Sequence, residues 1–192
     1  MKRFNQIAFA TFCALALAAR SQAAVETYKI DPVHSSVGFS IRHFFSNVPG
    51  VFTKFSGTIV VDRDNLENST VDATIEVPSI DTRNGMRDKD LQSDKFFSAE
   101  KFPAITFKSK SWKKAGDDTY DVTGDLTIHG VTKEVVLKTK TLGFGPGMKQ
   151  AMLSGWEAST TINRNDFGIS TYPKMLGDDV AVTISVEADL QK

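Results

Sequence analysis

The residues best suited to proton transfer or metal binding are three histidines, and two of them bracket one stretch, DPVHSSVGFSIRHF at residues 31–44. Along a single strand, the odd separation of His34 and His43 puts them on opposite faces, about 30 Å apart. They can share an ion only if the chain bends between them. His129 lies in the turn IHGVTK, remote in sequence from both. HExxH and other paired-histidine spacings are absent from the sequence, so no metal site is expected.

Nucleophilic chemistry has little to build on. The sequence contains no GxSxG elbow, and its one cysteine is Cys13. Asp31, His34 and Ser35 are close in sequence, but a catalytic triad is defined by geometry, not adjacency. The ordinary reading is a turn at Asp31–Pro32 in which His34 or Ser35 bonds backbone. The glycine-rich GFGPG at 143–147 lacks a following Lys-Ser/Thr and reads as a hairpin loop, not a phosphate cradle. Arg42, Arg83, Arg87, Lys89, Arg164 and Asp166 form the basis of a charged rim. Such a rim either holds a polar headgroup through forked arginine bonds or is simply solvated. No catalytic residue and no cofactor is expected.

The elements that position these side chains are strands. Nearly every segment after residue 35 alternates with a period of two. The apolar positions run Val37, Phe39, Ile41; then Phe55, Gly57, Ile59, Val61; then Val71, Ala73, Ile75, Val77. They continue with Ile105, Phe107; Tyr120, Val122, Leu126, Ile128; Val135, Leu137; Trp156, Ala158, Thr160, Ile162; and Val180, Val182, Ile184, Val186. That pattern predicts eight strands separated by turn-like breaks. Residues 80–103 are the exception, and MRDKDLQ predicts one short helix started by Thr82 or by Asn84–Gly85.

Short connections predict antiparallel neighbours, and eight strands can close into a barrel without edges or stack as a sandwich. Eleven residues at about 3.3 Å rise and about 40° tilt give a barrel roughly 28 Å tall. Small inward residues (Gly57, Ala73, Gly124, Ala158, Ala188) point to an internal cavity. Large inward neighbours (Phe39, Phe55, Phe107, Trp156) can instead fill the space.

Residues 1–23 have a basic start, an apolar run from Ile7 to Ala19 and small residues up to Ala23. That layout is a secretory signal peptide, too short for a membrane span. The expected mature domain is 24–192, cysteine-free, with 20 basic against 23 acidic residues. Its charge gives no strong pull toward nucleic acid or an anionic membrane.

Several motifs occur in order along the chain: DPVHSSVGFSIRH, FTKFSGTIVVD, RDKDLQSDKFF with KFPAITFKS, GDLTIHGVTKEVVL, INRNDFGI and GDDVAVTISVEA. Together they resemble the YceI family of periplasmic, lipocalin-like, polyisoprenoid-binding proteins. The resemblance implies an all-β fold, an eight-stranded antiparallel barrel with a short helical insert between the third and fourth strands. It also implies a hydrophobic pocket and no catalysis. Carried over by position, the ligand-binding residues are Val37, Phe39, Ile41, Phe55, Ile59, Ile75, Phe107, Leu126, Ile128, Trp156 and Ile184. Met86, Leu91, Phe96 and Phe97 are expected at the mouth or as a plug. Asp90 stands where the family usually has histidine, and Phe44–Phe45 and Pro49 make its connection unusually apolar.

The expected function is that of a periplasmic or secreted carrier, monomer or homodimer, without stable membrane insertion. Its ligand is a long isoprenoid lipid, polyprenyl or quinone-like, such as one with an octaprenyl chain, or another hydrophobic small molecule. One alternative is an enzyme acting on a lipid through His43. Another is a filled barrel that meets a partner through Phe44, Phe45 and Val48.

Overall fold

Each strand forms where the period-two pattern offers one apolar face, and the pairing of those strands closes a barrel. In the computed structural model, which describes residues 25–148 and 151–192, the strands are β1 (Glu26–Ile30), β2 (Ser36–His43), β3 (Ser46–Phe52), β4 (Phe55–Val61), β5 (Thr70–Glu76), β6 (Ile80–Asp81), β7 (Ala104–Gly116), β8 (Thr119–Ile128), β9 (Val131–Pro146), β10 (Met152–Asn163) and β11 (Leu176–Leu190). One helix, α1 (Gly85–Gln92), lies between β6 and β7. The signal-peptide reading falls outside the described residues.

Eleven segments make eight staves. β11 pairs with β2 along Leu176–Ser185 and with β1 along Ala188–Leu190, so β1 and β2 are two halves of one stave. β3 and β4 make the next stave, and β5 with β6 the third. β7 to β11 follow in order, and the β1–β11 pairing closes the ring, antiparallel throughout.

The broken staves are held by side chains that stand in for the missing ladder bonds. At Asp31–Ser35 the Ser35 hydroxyl accepts from Glu187 N at 3.0 Å and donates to Glu187 O at 3.1 Å. The Asp31 N–H donates to the same carbonyl at 2.9 Å. Asp31 Oδ1 accepts from Val33 N, an Asx turn of the kind proline promotes. At the second break, Ser79 Oγ accepts from Lys54 N at 3.0 Å and donates to Glu76 O at 2.7 Å.

The sequence suggests one connection holding Phe44, Phe45, Val48 and Pro49, but most of it is a strand. Between β2 and β3 only Phe44 and Phe45 turn, and both Val48 and Pro49 lie in β3, Val48 opposite Ile41. Pro49 and Gly50 hid this strand. Pro49 is tolerated because β3 pairs with β6 only at Val51 and Phe52, which leaves its outer edge free at Pro49. Gly50 makes room for Phe39, since a Cβ there would come within 2.3 Å of its ring.

Helix α1 begins at Asn84, whose side chain accepts from Met86 N and Arg87 N. Arg87 ties the helix to the barrel, donating from Nε to Thr82 Oγ1 at 2.7 Å and from Nη2 to Thr82 O at 2.8 Å. The insert, the β10–β11 connection and the β2–β3 turn all lie at one end of the barrel. Both ends of the described chain lie at the other, where Gln191 N donates to Thr27 O.

Candidate functional site

The inward faces of the staves enclose a cavity of about 430 Å³. Fourteen of the fifteen sequence-predicted wall and mouth residues border it: Val37, Phe39, Ile41, Phe55, Ile59, Ile75, Leu91, Phe96, Phe97, Phe107, Leu126, Ile128, Trp156 and Ile184. Met86 does not. Its side chain is 83 % exposed and points away from the barrel, while Arg87, Asp90 and Leu91 of the same helix face the cavity.

The cavity is blind. At the closed end Tyr28, Phe144, Trp156, Trp112 and Tyr120 form a chain of ring contacts with centroids 5.5–6.1 Å apart. The Tyr28 hydroxyl donates to Glu26, and burial together with that carboxylate pushes the phenol up to about 12. Trp156 Nε1 donates to Ser154 Oγ at 3.1 Å. Trp112 Nε1 is buried without a partner among the described residues. Six residues of β10 separate Trp156 at the floor from Ile162 near the mouth, about 15 Å at the usual rise and tilt. The open tube therefore takes up about half of the height expected from the sequence.

The small inward residues divide between the two readings. Ala73 and Ala158 border the cavity. Gly124 is covered by the Phe107 ring and Gly57 by Ile30, so neither adds space, and Ala188 is buried in the floor cluster.

Polar groups gather at the mouth. His43, Thr82, Arg87, Asp90, Arg164 and Tyr172 border the cavity there. Arg164 is buried, and its guanidinium is consumed by the β10–β11 connection: Nη1 donates to Ile169 O and Thr171 O, both at 2.8 Å, and Nε to Gly177 O at 2.9 Å. Arg87 differs, because Nη1 has no acceptor among the described residues. Asp90 Oδ1 lies 3.6 Å from Lys95 Nζ. The Thr171 hydroxyl donates to Lys95 O, and the Phe96 and Tyr172 rings meet at 6.1 Å, so the insert and the β10–β11 connection meet at the mouth.

The three histidines stay apart. His129 is bonded between Phe167 O and Ser98 Oγ, clamping the β8–β9 turn to the insert. His43 stacks edge-on against Phe44 at 4.8 Å and has no hydrogen-bond partner among the described residues. His34 sits outside the barrel with Nδ1 2.6 Å from Asp31 Oδ2 and 3.7 Å from Glu187 Oε1. At 2.6 Å, a proton carried on His34 Nδ1 is donated to the Asp31 carboxylate. That bond raises His34 above its ordinary 6.5 and lowers Asp31 below its ordinary 3.8. This arrangement lies at the Asp31–Ser35 strand break.

The sequence reading missed Trp112 and Val48 on the cavity wall. Trp112 was hidden by a β-bulge between Ser109 and Ser111, which shifts the inward parity from odd, at Phe107, to even. A tryptophan beyond an apparently finished strand was the available signal.

Comparisons with known proteins agree with this architecture. The YceI-like domain profile matches residues 28–188. Protein YceI of Escherichia coli O17:K52:H18 (strain UMN026 / ExPEC) is 41 % identical over 185 residues, covering 95 % of this chain and 96 % of its own length. The YCEI protein of Campylobacter jejuni, a solved structure, superposes with a TM-score of 0.72 at 37 % identity, over 79 % of this chain and 91 % of its own. A polyisoprenoid binding domain from Saccharophagus degradans shares the fold with a TM-score of 0.66 at 14 % identity, covering 85 % of this chain and 98 % of its own. On the domain match over residues 28–188 and the 41 % identity, the chain belongs to the YceI-like domain family.

Proposed function

We propose that this protein is an exported carrier that takes the apolar chain of an isoprenoid-type lipid into its barrel. The observation that carries the reading is the cavity: its volume is about 430 Å³, and aliphatic and aromatic side chains from all eight staves border it. Apolar burial there needs no hydrogen bonds, and each enclosed CH₂ contributes about 0.8 kcal/mol. The headgroup then rests at the mouth, where Arg87 Nη1 is free to donate to a carbonyl or phosphate oxygen.

Volume limits what is enclosed. If each carbon takes close to the ~30 Å³ share of a water molecule, 430 Å³ holds about 15 carbons, or about three isoprene units. At that share per carbon an octaprenyl chain exceeds the volume as it stands. It either leaves much of its length outside or displaces the aromatic floor.

The cavity residues offer little for catalysis by His43, since no acid or hydroxyl orients the imidazole among the described residues. Native mass spectrometry of protein purified from a bacterial envelope tests the carrier reading, with a mature N-terminus at Ala24 and one bound lipid expected. A chain that arrives lipid-free and takes up no prenyl compound in titration contradicts it.

A further inference from the structure

The β2–β3 turn presents two phenylalanines to solvent at the open end of the barrel. Phe45 is 103 % exposed and Phe44 46 %. Neither local geometry nor burial explains them. Phe44 has φ +47°, at the first position of a two-residue hairpin turn, where glycine is favoured and a bulky side chain is not. An unfavourable backbone carrying an exposed ring points to a use outside the fold.

The neighbours extend the patch. Phe44 N donates to Met175 O at 2.9 Å, and Met175 and Tyr172 are each about two-fifths exposed. Both also border the cavity, so the outer apolar surface runs directly into the mouth. Two cations flank it. Arg42 precedes the turn and donates to Phe44 O at 3.3 Å, and Lys174 precedes Met175. Neither is ion-paired among the described residues, and Asp178, the acid beyond Gly177, faces Arg164.

We infer that this mouth docks on an anionic lipid surface, with Phe44 and Phe45 entering the headgroup–acyl boundary and Arg42 and Lys174 meeting phosphates. Exposed aromatic rings framed by unpaired cations match the chemistry of that interface, which is apolar below and negative above. A second copy of the chain fits worse, because a two-fold contact sets Arg42 and Lys174 against their own equivalents. Docking is peripheral and independent of what fills the cavity, so it goes beyond the carrier reading.

Vesicle co-sedimentation tests it, using phosphatidylcholine vesicles with and without phosphatidylglycerol. The purified chain is expected to bind the anionic vesicles, less so as salt rises. Phe45→Ser is expected to weaken binding about tenfold or more, with an unchanged melting temperature because the ring is fully exposed. Phe45→Trp is expected to retain binding and to shift its emission to the blue on vesicles. Ala158→Phe, which blocks the cavity, is expected to bind vesicles like the wild type, which separates this result from any failure of lipid uptake. No binding to anionic vesicles, or equal binding by Phe45→Ser, overturns the inference. A solution dimer that Phe45→Ser dissolves also overturns it and assigns the patch to a second copy.

Discussion

Trp112 and Trp156 meet edge to face, their ring centroids 5.5 Å apart and their planes at 85°, at the point where the cavity stops. This pair sets the depth of the tube. Trp156→Ala is expected to cost about 3–5 kcal/mol of stability and to deepen the cavity. In titrations with prenyl alcohols of increasing length, wild-type affinity should rise about fourfold per carbon and level off near about 15 carbons. In the variant the plateau should move to longer chains. An unmoved plateau would mean that the floor does not limit length.

Gly50 and Phe39 make a second test. A Cβ at position 50 would lie 2.3 Å from Phe39 Cζ and 2.9 Å from Thr82 Cγ2. Gly50→Ala should therefore drive the Phe39 ring into the cavity, at a cost of about 1–3 kcal/mol. Lipid uptake should fall more than stability. Denaturant melts alongside ligand titration separate the two effects.

Arg164 is expected to matter for the mouth without touching ligand chemistry. Removing its guanidinium strands the carbonyls of Ile169, Thr171 and Gly177. Arg164→Ala should cost about 3–5 kcal/mol. Arg164→Lys should recover little of that, because an ammonium cannot reproduce the fork. Limited proteolysis should show first cuts within residues 165–175 in both variants.

The Asp31–His34 bond predicts a pH signature. His34 is raised above 6.5, so its contribution is full below 6.5 and is lost as pH climbs through the raised value. Asp31 is lowered below 3.8, so its contribution is full above 3.8 and is lost as pH falls through the lowered value. The pair thus supports the fold most between 3.8 and 6.5. The effect is small because His34 is exposed. Thermal melts of His34→Ala should lose their deficit relative to wild type as pH moves from about 5 to about 9.

Where strands alternate without interruption, the fold was legible from the sequence. Trp156, Ala158, Thr160 and Ile162 all border the cavity as alternation predicts, and so do Val180, Val182, Ile184 and Val186. Legibility failed where the chain bends. β1 and β2 are separated by Asp31–Ser35, so a five-residue strand carrying Tyr28 was passed over. β3 contains a proline and a glycine that argue against a strand until its free edge and its contact with Phe39 are known. The depth of the tube was hidden for a related reason. Gly124 reads as empty space, yet it is the seat of the Phe107 ring. Met86 was placed at the mouth because α1 is there, but an eight-residue helix presents only some of its side chains inward.

The central claim is that an apolar chain enters this cavity tail first and reaches the aromatic floor. The chain's two tryptophans, Trp112 and Trp156, both border the cavity, so their fluorescence reports on the floor alone. The most direct measurement is a titration with a prenyl-length alcohol of about 15 carbons brominated at its far end, since heavy-atom quenching requires contact. The account predicts strong quenching that saturates at one ligand per chain and is lost in Ala158→Phe. Quenching that is absent, or that is equal in the wild type and the blocked variant, would contradict it.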